Sequence, residues 1–271
     1  MNAVMAQIAA ARASGRRCVW VDHFAYTRER LLGGAEIPWN DLAASVDYLG
    51  QCERLLGSNA CLLPVADYYV RRLAEDTALR EAMRGRRLGP SVLRAMLGDE
   101  DARADIAALA SVLATQSPRP LVLVLPAAGD WLRAVCRAAH GEDCEVDAED
   151  IERAAIYVAD FLRCFAASAV AGILILAKDV RSLPPGAHQP VANVASHYRW
   201  SVGVLDLTGG AAGAEGFDYR IAPQGSGDAQ GVLLADSLAT TDTTSPLCHV
   251  VIAADAVPEA VLEAIAVLRG A

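Results

Sequence analysis

The residues of this chain that are best suited to chemistry follow short apolar segments. Asp22 and His23 come directly after the apolar residues 18–21, and Asp67 and Tyr68 come soon after the apolar residues 60–63. The carboxyl end of a buried strand, just before a helix, is where α/β folds carry their reactive groups. A carboxylate at such a place also serves as an ordinary helix cap, and the two roles are compatible. The sequence therefore places a candidate active site around Asp67.

Asp67, His23 and Tyr68 are the predicted catalytic residues. An aspartate at the end of a strand accepts a hydrogen bond from a substrate NH or OH group, or stabilises a protonated intermediate. Histidine titrates near neutral pH, so His23 suits the role of general acid or base, and Tyr68 is a second candidate for moving protons. The alternative for Asp22 and His23 is a pair of residues on a surface loop.

Residues near the other strand ends, or in the same loops, form the predicted substrate-binding set. Lys178, the only lysine of the chain, would bind a carboxylate or form a Schiff base. Trp131 would form a wall of the pocket, or it lies at the start of a helix without a role in the site. His197 would reach the pocket or make a local hydrogen bond. Asp236 is a further strand-end candidate, whereas His249 is interpreted as a core residue. The set comprises Asp22, Tyr26, Arg28, Trp131, Lys178, Asp179, His197 and Asp206.

The segments that must position these residues alternate between strand and helix patterns. Strands are predicted at 18–21, 60–63, 121–125, 173–176, 201–207, 219–222, 231–235 and 250–253, with a loop at 24–38 and helices that include 70–84 and 148–170. This alternation predicts parallel strands joined by crossover helices. Because no glycine-rich nucleotide-binding motif is present, we predict a TIM-type barrel, a single α/β domain over 1–271 with 1–57 as an extension packed on it.

Composition and charge exclude several classes of protein. The net charge of −9 and the isoelectric point near 5.0 argue against a nucleic-acid surface. The seven cysteines form no CxxC pair, which favours free, buried thiols in a reducing compartment. Residues 1–13 lack the basic start of a signal peptide, and the longest apolar stretch, 165–177, is too short to span a bilayer. We therefore expect a cytoplasmic protein with no membrane segment.

The residues that carry a family resemblance are 18–30, 60–69, 119–131, 171–176 and 248–269. In this order they resemble successive parts of the superfamily of uroporphyrinogen decarboxylase and cobalamin-independent methionine synthase. The resemblance covers most of the chain and lies in the order of the segments and in their residue patterns. It implies a barrel in which Asp67 binds pyrrole NH groups and stabilises charge on the ring. The arginines that hold substrate carboxylates in the decarboxylases are replaced at 22–28, with Arg28 and Arg30 out of register, and the Gly-His-Gly of their closing strand is replaced at 253–255.

The resemblance implies a cofactor-independent, decarboxylase-like lyase acting on a small carboxylated or aromatic or pyrrolic substrate, which Arg28 or Lys178 would hold. One alternative is a methyltransferase or demethylase of the corrinoid- or thiol-linked branch. That branch holds zinc with a His-x-Cys pair, which this chain lacks, and a distant cysteine, for which Cys248 is the candidate. The other alternative is a non-catalytic binding protein. We expect no cofactor and no metal, and the family makes a homodimer plausible.

Overall fold

The protein is an eight-stranded barrel of parallel strands. The computed structural model describes residues 2–209, 215–226, 229–234 and 244–270, and only the backbone of Val180. The strands are β1 (Cys18–Asp22), β2 (Cys61–Pro64), β3 (Leu121–Pro126), β4 (Val170–Ala177), β5 (Ser201–Asp206), β6 (Tyr219–Pro223), β7 (Gly231–Leu234) and β8 (Leu247–Val251). They pair in chain order from β2 to β8, and β8 pairs with β1. The predicted (β/α)8 TIM-type barrel is confirmed.

Side chains bridge the seam between β1 and β2, where the two strands form no ladder in the described residues. The Val19 N–H donates to Asn59 Oδ1, and the Asn59 N–H donates to the Val19 carbonyl, both at 2.8 Å. The Val21 N–H donates to Ser58 Oγ at 3.2 Å. Because a buried backbone group without a partner is costly, these two polar residues take over the hydrogen bonds that a neighbouring strand would supply.

Eleven helices pack around this sheet in the described residues. They are α1 (Ala3–Ser14), α2 (Phe24–Leu32), α3 (Leu42–Leu56), α4 (Val65–Glu75), α5 (Thr77–Arg84), α6 (Pro90–Leu97), α7 (Glu100–Gln116), α8 (Ala128–His140), α9 (Ala148–Leu162), α10 (Gln189–Tyr198) and α11 (Pro258–Arg269). Aspartates accept backbone N–H groups at the starts of α3, α5, α7 and α9. These side chains replace partners that the first helical turn cannot supply.

The N-terminal third of the chain differs from the predictions. The loop predicted at 24–38 contains α2, which ends where Gly33 adopts a φ of 60°. The helix predicted at 70–84 begins earlier, at Val65, and is interrupted at Asp76, whose side chain caps α5. The predicted extension 1–57 contains β1, which pairs with β8, so this segment is part of the barrel.

Two boundaries in the rest of the chain also differ. The helix predicted at 148–170 ends at Leu162, since the chain must turn before entering β4, which is longer than predicted because it pairs on both sides. The last strand runs over Leu247–Val251 instead of 250–253. Cys248 and His249 therefore lie within a strand and face opposite sides of the sheet.

Alternation along the strands separates the barrel interior from its outer face. The rings of Trp20 on β1 and Tyr219 on β6 meet edge to face across the interior, with centroids 5.7 Å apart. Gly203 on β5 makes room for Tyr219, since a Cβ there would lie 2.1 Å from the tyrosine ring. On the outer face, residues of β1, β7 and β8 pack against α11 in a separate apolar cluster. These contacts assign an inner or outer face to every strand residue.

The N-terminal end of the barrel is covered by α1, which packs against β1 and β4. Val4 of this helix lies next to Gly172 at the start of β4. All seven cysteines have free thiols, five of them buried, as predicted. No helix among the described residues is both long and apolar enough to cross a membrane.

Candidate functional site

The barrel opens at its C-terminal end, which we call the mouth. Seven residues of the inner strand faces remain half-buried, and all of them lie toward this end: Asp22, Val124, Pro126, Leu176, Pro223, Leu233 and Val251. Deeper residues of the same faces, such as Val122 and Leu247, are fully buried. Solvent therefore reaches the interior from the mouth, and Asp22 is the one ionisable residue in this set of seven.

Asp67 lies on the first turn of α4, directly after β2, and borders a recess of about 570 Å³ beside the mouth. Phe24, Trp39 and Arg28 line the same recess. Its size falls within the range that accommodates small ligands. The Asp67 carboxylate accepts no hydrogen bond from the described residues, and Pro64 occupies the N-cap position. Asp67 is thus not a helix cap, although the helix dipole favours its negative charge.

The charges of Asp22 and Lys178 both act on the Asp67 carboxyl. Asp67 keeps contact with solvent, but crowding by protein atoms removes part of its hydration and raises its pKa; Asp22 raises it further and Lys178 lowers it. Burial likewise raises the pKa of Asp22, against a hydrogen bond of 3.4 Å from the Phe24 N–H. The structure therefore brings three predicted residues together: two carboxyls that retain protons more readily than usual, and one ammonium group.

Arg28 is the fourth predicted residue at this place. It lines the recess of Asp67, and its guanidinium lies 3.6 Å from Glu36 and 3.8 Å from Glu29. Both pairs are substantially exposed, so neither holds the side chain firmly. Arg28 is thus available to an anion that enters the recess.

His23 turns away from the recess. It is 7% exposed, and its Nδ1 lies 3.2 Å from Thr27 Oγ1, which in turn lies 2.6 Å from the Tyr48 hydroxyl. Burial lowers its pKa to about 4, so the ring is neutral at physiological pH. His23 does not line the recess. Its neighbours give it a structural role in joining α2 to α3.

Tyr68, Trp131 and Tyr26 also point elsewhere. Tyr68 is one residue from Asp67, but on a helix this turns its side chain toward α7, where its hydroxyl donates to the Ala102 carbonyl at 3.3 Å. Trp131 packs edge to face against Tyr69 and Phe161, within the layer of helices. Tyr26 lies in the apolar cluster under α11. The structure places these three rings in the packing of the fold.

The loop after β4 positions Lys178 and holds Asp179 in an ion pair. The backbone N–H of Lys178 donates to Asp130 Oδ2 at 2.9 Å, and the Ser182 hydroxyl donates to the other oxygen of Asp130 at 2.6 Å. Asp179 binds the Arg181 guanidinium through both oxygens, which lowers its pKa. Asp179 is thus already neutralised by a neighbour, whereas Lys178 is exposed on a loop that Asp130 fixes.

Asp206 and His197 lie away from the mouth. Asp206 faces the outer side of β5, opposite to Gly203 and Leu205, and forms an ion pair of 2.7 Å with Arg220. Burial raises the pKa of Asp206, but Arg220 and two bonds from Thr208 outweigh this and lower it overall. His197 is exposed at the end of α10, which leads into the start of β5 and therefore lies at the opposite end of the barrel.

Potential metal ligands do not gather in the part of the chain that the structure describes: no group of three His, Cys, Asp or Glu side chains comes together. Cys248 faces the outer side of β8 and packs in the cluster under α11. It is therefore separated from the mouth by the sheet. Asp236 lies outside the described residues.

His249 is a polar residue in the interior that the sequence analysis interpreted as ordinary core. It pairs in register with Trp20 on one side and Leu233 on the other, and is 2% exposed. One feature of the sequence indicates a special role for His249, namely that it is a histidine within an apolar strand. Nothing in the sequence shows which face of the strand it occupies. The structure places it just below the mouth.

No protein-family model matches this chain, and a search of curated proteins finds no match either. The assignment of function therefore depends on the residues at the mouth and on the resemblance described above, which stays a hypothesis.

Proposed function

We propose that this protein is a cofactor-independent lyase of the decarboxylase type. The substrate would be a small aromatic or pyrrolic carboxylic acid bound at the mouth. The observation that carries the proposal is the pair of carboxyls, Asp22 and Asp67, in which the charge of Asp22 raises the pKa of Asp67 beside Lys178. Loss of CO2 from a ring needs a proton donor, a group that stabilises positive charge and a cation for the acid, and this cluster offers all three.

The reaction would proceed as follows. Lys178 or Arg28 binds an acidic group of the substrate. Burial raises the pKa of both carboxyls, and the member with the higher pKa retains its proton while the other ionises. The protonated member gives its proton to the ring carbon, the ionised member stabilises the resulting cation, and the bond to the carboxylate breaks. CO2 leaves, and its bonding electrons restore the ring. In this proposal the carboxyl pair transfers the proton, a role that the sequence analysis assigned to His23 or Tyr68.

The surroundings of the pair favour an aromatic substrate. Apart from Asp22, the half-buried residues of the mouth are apolar, and Phe24 and Trp39 line the adjoining recess. Apolar walls with a few convergent polar groups are typical of small-molecule sites. Such walls also keep the carboxyl pair partly dehydrated, which sustains its raised pKa.

Replacing Asp67 by Asn tests the proposal. Purified protein would be screened for CO2 release with a panel of aromatic and pyrrolic carboxylic acids, and the variant should lose at least about 100-fold in kcat/KM. Asp47→Asn is the matched control, since Asp47 is exposed on α3 and does not line the recess. Equal turnover by the Asp67 variant and wild type would reject the assignment.

A non-catalytic binding protein is the second candidate. The observation that favours it is the position of His23 and Tyr68, whose side chains lie outside the recess. Its signature is binding of acids from the panel, measured by calorimetry, with no CO2 released by any of them. The methyl-transfer alternative has less support, because Cys248 is on the far side of the sheet from the mouth.

A further inference from the structure

The buried polar residue that the proposed mechanism does not use is His249. In the described residues neither of its ring nitrogens has a hydrogen-bond partner, and the indole N–H of Trp20, its neighbour on β1, lies only near the Cys18 thiol, which is a weak acceptor. Burying a polar group without a partner costs about 1–3 kcal/mol. Two such residues in adjacent strands form a set of donors and acceptors that packing alone does not account for.

The position of His249 connects it to the mouth. Its neighbour on β7, Leu233, lies in the same layer of the barrel and is half-buried, so solvent reaches this layer. The next layer toward the mouth contains Asp22 and Val251. Two residues along a strand span about 6.6 Å. A benzene ring with para substituents bridges a comparable distance, from the level of Asp22 to that of His249.

We infer that His249 and Trp20 form the inner end of the substrate site and hydrogen-bond an uncharged polar substituent of the aromatic ring, of which a phenolic hydroxyl is the model. This inference rests on the proposed function, because it uses the same mouth and the same class of aromatic acid. The acid group would stay near Lys178 and Arg28, while the opposite end of the ring enters the interior.

The chemistry of the two side chains selects the substituent. Burial lowers the pKa of His249 to about 4, so the neutral ring has one N–H donor and one acceptor nitrogen. Trp20 adds one donor. A hydroxyl both donates and accepts, and it therefore satisfies this set, whereas a charged group would lose its hydration without gaining an opposite charge. A fluorine of similar size has no proton to donate.

The test compares 4-hydroxybenzoate with 4-fluorobenzoate in binding to the whole protein by calorimetry. Wild type should bind the hydroxy acid about tenfold more tightly. In His249→Phe this ratio should fall to about one, and His249→Gln, which keeps a donor and an acceptor, should retain part of it. Tyr219→Phe is the matched control: it also removes a buried polar group of the interior, but that hydroxyl lies deeper in the barrel, so the ratio should persist.

The outcomes separate this inference from the proposed function. An unchanged ratio in His249→Phe, equal binding of both acids by wild type, or binding of neither would overturn the role of His249. Asp67-dependent turnover of any acid in the panel would leave the lyase proposal standing in each of those cases. Conversely, a ratio that disappears in His249→Phe, without turnover of any acid, would support the contact and reject the lyase. Thermal melts of the folded variants exclude simple unfolding as the cause.

Discussion

At the scale of single residues, the mouth illustrates how protein surroundings change a carboxyl. Asp22 and Asp67 have raised pKa values because they lose hydration, and Asp67 also because Asp22 is near. Asp179 and Asp206 have lowered pKa values because arginines bind them. The first pair is suited to holding a proton and the second pair to staying ionised, so charge partners distinguish the two aspartates of the proposed site from the two structural ones.

Asp22→Asn should stabilise the protein at neutral pH. A carboxyl whose pKa is raised on folding contributes stability only at low pH, and that contribution is lost as the pH rises through the folded pKa. The amide removes this loss, so the melting temperature at pH 7.5 should rise by about 1–3 °C and the gain should vanish below about pH 4. Melting curves of both proteins across this range measure it. A lower melting temperature for the variant at pH 7.5 would contradict the burial argument.

At the scale of elements, the barrel depends on how closely β5 and β6 approach. Gly203 has no side chain, and this lets the Tyr219 ring lie over its backbone and reach Trp20. A glycine inside a strand usually weakens it, and here close packing of a ring is the compensating reason. The interior thus uses one glycine to accommodate two large aromatic rings.

Gly203→Ala should therefore destabilise the protein. The added methyl group would overlap the Tyr219 ring and cost about 1–3 kcal/mol, which lowers the melting temperature by about 3–10 °C. Adding Tyr219→Leu should recover part of the loss, since the smaller side chain leaves space. Gly50→Ala on α3 is the control, because only the flexible end of Arg54 lies near it. Equal melting temperatures for Gly203→Ala and wild type would show that the ring moves freely.

At the scale of the whole molecule, three buried histidines make the fold sensitive to acid. Burial lowers the pKa of His23, His188 and His249 to about 4 each, against 6.5 for an unperturbed histidine. The unfolded chain therefore binds more protons than the folded one below about pH 6.5, and stability falls as the pH drops through this window. The raised carboxyls at the mouth oppose this trend only weakly, because they are partly hydrated.

The melting temperature should fall by about 10 °C between pH 7 and pH 5 as a result. Calorimetric scans at several pH values measure this slope. The variant His249→Phe has one histidine fewer in the interior and should show a shallower slope, by roughly a third. A melting temperature that does not change over this range would contradict the argument. It would mean that water hydrates these rings or that protein groups form hydrogen bonds with their charged form.

The sequence by itself determined the type of fold and part of the candidate site. Alternating apolar and amphipathic segments predict parallel strands with crossovers, because a strand pattern and a helix pattern bury different faces. The rule that strand ends converge in a barrel predicts that Asp22, Asp67 and Lys178 lie near one another. Asp206 also ends a strand, yet it lies on the outer face, since the rule places a backbone and leaves its side chain free to face either way.

The tertiary structure decided which of the other candidates face the mouth. Tyr68 is adjacent to Asp67 in the chain, but one helical step of 100° turns it toward α7. His23 contacts Thr27, and the bond between Thr27 and Tyr48 of α3 fixes this pair away from the recess. The interior position of His249 follows from its pairing with Trp20. Directions of side chains depend on contacts between segments far apart in sequence, and local patterns contain no record of those contacts.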